Sequence, residues 1–146
     1  MVRNAVAAGV VAVLCAVCSL GADAKEDAKM LEGTWLPVTG ELAGEKFPDE
    51  VLKTIKLEIK DGKWAVTVGK ETDKGMLTID STKKPKEMDI VGTEGPNKDK
   101  KILAIYELTD DTLKVCYALD GKERPKAFAT KQGTMGFLLT YKRQKP

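Results

Sequence analysis

Apolar and polar positions alternate along most of this chain. Ile55, Leu57 and Ile59 alternate with Lys56 and Glu58, and after Asp61-Gly62, Trp64, Val66 and Val68 alternate with Ala65 and Thr67. A period of two marks a half-buried strand, and Asp-Gly between two such runs marks a hairpin turn. The stretch from Lys101 to Ala118 repeats the pattern with larger side chains. Ala104, Tyr106 and Leu108 share a face of one run, and Leu113, Val115 and Tyr117 share a face of the next. Thr109-Asp110-Asp111-Thr112 makes the turn between them. A lone hairpin is marginal in water, so this one needs a sheet or barrel to cover its apolar face.

The remaining segments supply that cover. Gly33-Thr34-Trp35 opens a first strand through about Thr39, and Pro37 within it predicts an edge or a bulge. After a turn over Gly40 to Gly44, Phe47-Pro48-Asp49-Glu50-Val51-Leu52 carries proline and acids where a short helix starts. Gly69 to Asp73 predicts a turn. Leu77 and Ile79 predict a fourth strand that ends near Asp80, and Met88 and Ile90 a short fifth. Gly92 to Lys100, with Gly95-Pro96-Asn97, reads as a loop, and Asp120 to Lys126 as a charged connection. Phe137, Leu139 and Tyr141 carry the last strand. No gap suits a long crossover helix, so the eight strands pair antiparallel. A two-sheet sandwich and a barrel both fit, and closure removes the open edges. The expectation is an all-β fold: an eight-stranded antiparallel up-and-down barrel with a short helix after the first strand.

Residues 1–24 read as a cleaved signal peptide: Arg3, an apolar run from Ala5 to Ala16, and Ala22-Asp23-Ala24 as the cleavage site. Residues 25–146 then form one domain, periplasmic or secreted. Cys15 and Cys18 leave with the leader, and neither has leucine three positions before it, which argues against a lipoprotein. Cys116 is the cysteine that remains, so no internal disulfide is expected. It shares parity with Lys114 and reads as a half-covered strand residue, or as an intermolecular bridge or reactive thiol. The formal net charge is +2, from mixed signs, with no aromatic-studded basic stripe. Nothing supports nucleic-acid binding, and no second apolar segment is long enough to span a membrane.

Two sets of residues carry a resemblance. Gly33-x-Trp35 on the first strand, with Arg143 at the end of the last, is similar to the lipocalin and calycin pattern, in which the Trp closes the barrel base and the Arg packs across it. Leu31-Glu32-Gly33-Thr34-Trp35, Thr82-Lys83-Lys84-Pro85-Lys86, Ile105-Tyr106-Glu107-Leu108, Leu113-Lys114-Val115-Cys116-Tyr117-Ala118, Arg124-Pro125 and Phe128 follow in one order. Together they resemble a family of small exported lipocalin-like domains of planctomycete bacteria. The resemblance implies a lipocalin-like barrel and an extracytoplasmic location. It implies no activity and transfers no catalytic or binding residue.

The chemistry available is narrow. The chain has no histidine, and Ser81 is the one serine after the leader. Ser–His, Cys–His and His-ligated metal arrangements are therefore absent, and no phosphate loop or EF-hand spacing occurs. No catalytic residue, metal or cofactor is expected, and the chain reads as no enzyme. Asp110-Asp111 sit in a hairpin turn, where solvated acids are the rule. Lys83-Lys84-Pro85-Lys86 reads as a solvated linker or an anion contact.

Tyr106, Tyr117 and Tyr141 fall on the apolar parity of their strands, and with Trp64 they would line a barrel cavity. Arg124 and Phe128 read either as a lid with an anion contact or as a paired arginine and a plug at the barrel end. The functional expectation is a small, mostly apolar ligand in a pocket of roughly 300 Å³ or more. The alternative is an envelope structural or protein-interaction module with a filled core, docking through Leu103 and Ile105 were they exposed; cover of that pair by a loop or helix is the expected arrangement.

Overall fold

The computed structural model describes residues 20–145, with side chains from Lys25 onward. The leader, its cysteines and its cleavage motif lie outside the described side chains. A helix, α1 (Leu20–Leu31), leads into strand β1 (Gly33–Leu42). A two-residue strand, β2 (Glu45–Lys46), and a single helical turn, α2 (Asp49–Leu52), follow. Then come β3 (Ile55–Lys60), β4 (Lys63–Val68), β5 (Glu71–Asp80), β6 (Lys86–Glu94), β7 (Lys101–Thr109), β8 (Thr112–Ala118) and β9 (Gly136–Arg143).

Among the described residues these strands form one antiparallel sheet in the order β2-β1-β3-β4-β5-β6-β7-β8-β9. β1 also pairs with β9, which rolls the sheet shut into an eight-stranded up-and-down barrel with β2 as a spur. The expected Pro37 irregularity is a register shift between Pro37 and Thr39, where the missing proline N–H would otherwise interrupt the ladder.

Three boundaries differ from the sequence reading. β1 continues through Gly40 to Leu42, β5 begins at Glu71, and β6 is nine residues long. In each case a neighbour's ladder carries the strand past the alternating apolar run: Thr72 pairs with Thr67, and their hydroxyls lie 3.2 Å apart.

One end of the barrel is sealed. Trp35 is fully buried, and its Nε1 donates to the carbonyl of Leu31 at 2.8 Å. The Arg143 guanidinium lies 4.3 Å from the centre of the Trp35 ring. It donates to the carbonyl of Glu32 at 2.7 Å and to that of Met30, tying the end of α1 to the end of β9. An arginine over an indole also gains cation–π attraction.

α1 sits against the same end through Asp27, only 9% exposed. Its carboxylate accepts from the Tyr106 hydroxyl at 2.7 Å and from Lys86 Nζ at 2.8 Å. Lys86 therefore holds a structural acid, not a solvated linker position. Tyr106→Phe removes one bond to a buried charge. It should cost about 1.5–3 kcal/mol, and hydrogen exchange should show α1 opening before the sheet. Unchanged α1 protection would mean that the helix is held by something other than Asp27.

The outer wall has its own cover. Residues 119–135 run as a strap across β7 and β8. Ile105 and Cys116 point outward, yet they are 1% and 0% exposed. The Cys116 thiol donates to the carbonyl of Ala129 at 3.6 Å, and Lys114 Nζ lies 5.6 Å from the centre of the Phe128 ring. No described helix is long and apolar enough to cross a membrane.

Candidate functional site

Away from Trp35 the barrel interior is not filled. A cavity of about 190 Å³ lies between β4, β5, β7, β8 and β9. Trp64, Val66 and Val68 reach it because β4 alternates. Tyr117, Tyr141 and Phe137 reach it from β8 and β9. Glu71 and Asp73 of β5, with Pro96 and Asn97 of the loop between β6 and β7, form its mouth. The mouth is at the end opposite α1, where the β4–β5 turn, the β6–β7 loop and the start of the strap meet. The volume falls short of the roughly 300 Å³ expected of a drug-sized ligand site, but side chains do not close it.

The mouth loop is bound to the barrel. Asp73, 8% exposed, accepts from the backbone N–H of Asn97 at 3.2 Å and from its side-chain amide. Lys98 and Lys100 lie in the same loop but do not line the cavity.

Deeper in, aromatic rings meet edge to face. Trp64 and Tyr117 are 6.3 Å apart at 63°, and Tyr117 and Phe137 are 5.9 Å apart. Trp64 Nε1 and the hydroxyls of Tyr117 and Tyr141 are buried, and none makes a hydrogen bond of good geometry. Tyr117 nevertheless lies close enough to Trp64 and Tyr141 for their polar ends to influence one another. Burial pushes both phenols upward, Tyr141 the further, so both stay protonated.

The chain matches no family model, no curated protein and no solved structure. The site has to be read from its own geometry.

That geometry divides the residues singled out from sequence. Trp64, Tyr117 and Tyr141 line one cavity. Tyr106 is buried too, but its hydroxyl is spent on Asp27 at the sealed end, and desolvation followed by that bond drives its pKa far up. Gly33, Trp35 and Arg143 form the closure. At Gly33, with φ +129°, a Cβ would lie 3.2 Å from Arg143 Nη1.

Arg124 and Phe128 are nowhere near the cavity. Arg124 donates to the carbonyls of Met88 and Ala104 at 3.1 and 2.8 Å and to Asp89 at 2.5 Å, with Glu87 at 3.4 Å. It is a rivet between strap and outer wall, its charge met by Asp89 and Glu87. Phe128 lies outside on Lys114, so it is neither lid nor plug. The paired reading of Arg124 holds, whereas its anion-contact reading and both readings of Phe128 fail for one cause: the connection folds back over the barrel's side instead of its end.

Two other readings change. Ile105 is under the strap and Leu103 is half-buried, so the loop cover expected over this pair is present and the exposed patch of the alternative does not exist. Cys116 is fully covered, not half-covered, and burial pushes its thiol up, which suits neither a bridge between chains nor a reactive thiol.

Asp110 and Asp111 are exposed, and Asp111 faces Arg143 and Lys145 at 3.7 and 3.6 Å. Among the described residues no group of three His, Cys, Asp or Glu side chains could hold a metal. A larger groove, about 370 Å³, lies under the strap between Cys116, Arg124 and Lys131. No side chain lining it carries an orphaned buried polar atom, whereas three lining the barrel cavity do.

The sequence reading missed Asp73, Pro96 and Asn97. Gly95-Pro96-Asn97 signalled a loop. Its return onto β5 shows only in the three-dimensional pairing.

Proposed function

We propose that this chain is an exported, non-enzymatic lipocalin-like barrel that holds one small, mostly apolar molecule, as its resemblance to the planctomycete domains suggests. The observation that carries the reading is the apolar-walled cavity inside a closed barrel, open at the end away from the Trp35 seal. Cavities of about 150 Å³ admit a benzene-sized molecule, so 190 Å³ suits a guest of one ring and a short substituent. Export is consistent with α1: Asp27, Met30 and Leu31, which hold the helix to the barrel, all follow the cleavage site after Ala24.

The protein-interaction alternative rested on Leu103 and Ile105, and the strap removes that surface. Native mass spectrometry of the protein purified from its own source tests the binding reading. Wild type should retain a small molecule, and Val66→Phe, which fills the cavity, should not. A guest at a hundred times its Kd should also raise unfolding stability by about 2.7 kcal/mol. Equal retention by both proteins would place the guest elsewhere.

A further inference from the structure

The cavity wall states more about the guest than its size. Trp64 Nε1, Tyr117 Oη and Tyr141 Oη bring three protons and only two acceptor oxygens, because an indole N–H accepts nothing. Each pair of groups can share one proton, and Trp64 can only donate. However the rings turn, one N–H or O–H is left over. A buried donor without an acceptor costs about 1–3 kcal/mol, and among the described residues no side chain supplies the acceptor. Charge narrows the guest further. No lysine or arginine lines the cavity, and the charged residues that do, Glu71 and Asp73, are acids. A carboxylate guest would be desolvated with no cation to meet it, beside two like charges at the mouth.

We infer that the guest is an uncharged, ring-sized molecule carrying one hydrogen-bond acceptor, taken up by whichever of Trp64, Tyr117 and Tyr141 is left with a free proton. This rests on the binding reading above. A ketone, aldehyde, ether or ester on a ring has the required chemistry; a fatty acid or other organic anion does not. The leftover donor is what selects the guest. Apolar walls alone would take any hydrocarbon of the right size.

Three probes of similar size separate the possibilities: ethylbenzene, acetophenone and benzoate, titrated by calorimetry into wild type and into Trp64→Phe/Tyr117→Phe/Tyr141→Phe. The triple variant keeps an aromatic ring at each position and removes all three donors, none of which makes a bond of good geometry. Ethylbenzene, which needs no acceptor contact, reports whether its cavity still forms. Wild type should bind acetophenone and ethylbenzene and bind benzoate at least tenfold more weakly than acetophenone. The ratio of acetophenone to ethylbenzene affinity should fall about 3–10-fold in the variant, the worth of one hydrogen bond.

If none of the probes binds wild type, the binding reading fails and this inference with it. If the two neutral probes bind but their affinity ratio is the same in both proteins, the cavity binds and the acceptor claim alone is overturned, with bound water as the partner of the free donor. Benzoate binding as tightly as acetophenone overturns the charge claim without any need of the variant.

Discussion

Trp35→Ala is expected to cost about 3–5 kcal/mol, the range for deleting a fully buried indole, and to leave a large share of the chain unfolded. Typical domains have only about 5–15 kcal/mol in total. The loss is large because three things rest on one side chain. Trp35 fills the barrel base, receives the Arg143 guanidinium on its face, and holds the last turn of α1 through the carbonyl of Leu31. Without the ring, Arg143 keeps its carbonyl partners but loses the surface that places it. Among the described residues no disulfide compensates, since Cys116 is free. Urea unfolding should show a lower midpoint with an unchanged slope. Trp35→Phe, which refills part of the volume but drops the indole N–H, should lose distinctly less. A loss below about 1 kcal/mol for the alanine variant, against the expected range, would mean that β1 and β9 close the barrel without the indole.

The barrel was legible because its inward positions obey one rule. Leu57, Met88 and Tyr141 alternate with polar neighbours, and alternation survives wherever one face meets a core and the other meets water. The Trp35–Arg143 pair could be read because a short motif coincided with the two strands that must join. The strap was not legible from its own residues, which are charged, but β7 and β8 held the clue. Leu103, Ile105 and Cys116 make those strands apolar on the outward parity as well, and a strand apolar on both faces is covered on both. Giving that signal its full weight would have moved Arg124 and Phe128 from the barrel end to its side. Asp27 left no such trace. Its burial depends on Tyr106 and Lys86, 79 and 59 positions away. The cavity itself is a difference between side-chain volumes and barrel width, which the parity of Tyr117 and Tyr141 cannot supply.

Gly92→Ala should damage stability and binding together. A Cβ at Gly92 would stand 1.8 Å from the carbonyl oxygen of Asn97 and 2.5 Å from its carbon. Both are backbone atoms, and the backbone there is doubly fixed: Gly92 donates to Lys100 and accepts from Asp99, at 2.9 and 3.0 Å. The loop must therefore lift off β6. Lifting it carries Asn97 away from Asp73 and leaves that carboxylate in its pocket without either donor. Overpacking costs about 1–3 kcal/mol and a lost bond to a charged group about 1.5–3 kcal/mol. The two share one displacement, so about 2–4 kcal/mol in total is expected. Pro96 and Asn97 also wall the cavity mouth, so affinity for acetophenone should drop at least tenfold even in the molecules that remain folded. Gly69→Ala is the matching control. Its φ of +63° carries a backbone penalty of about 1–2 kcal/mol, but nothing lies within 4 Å of the new Cβ, so the mouth and its guest should be untouched. If Gly92→Ala melts and binds as wild type does, the loop is not seated against β6, and the mouth has a different wall.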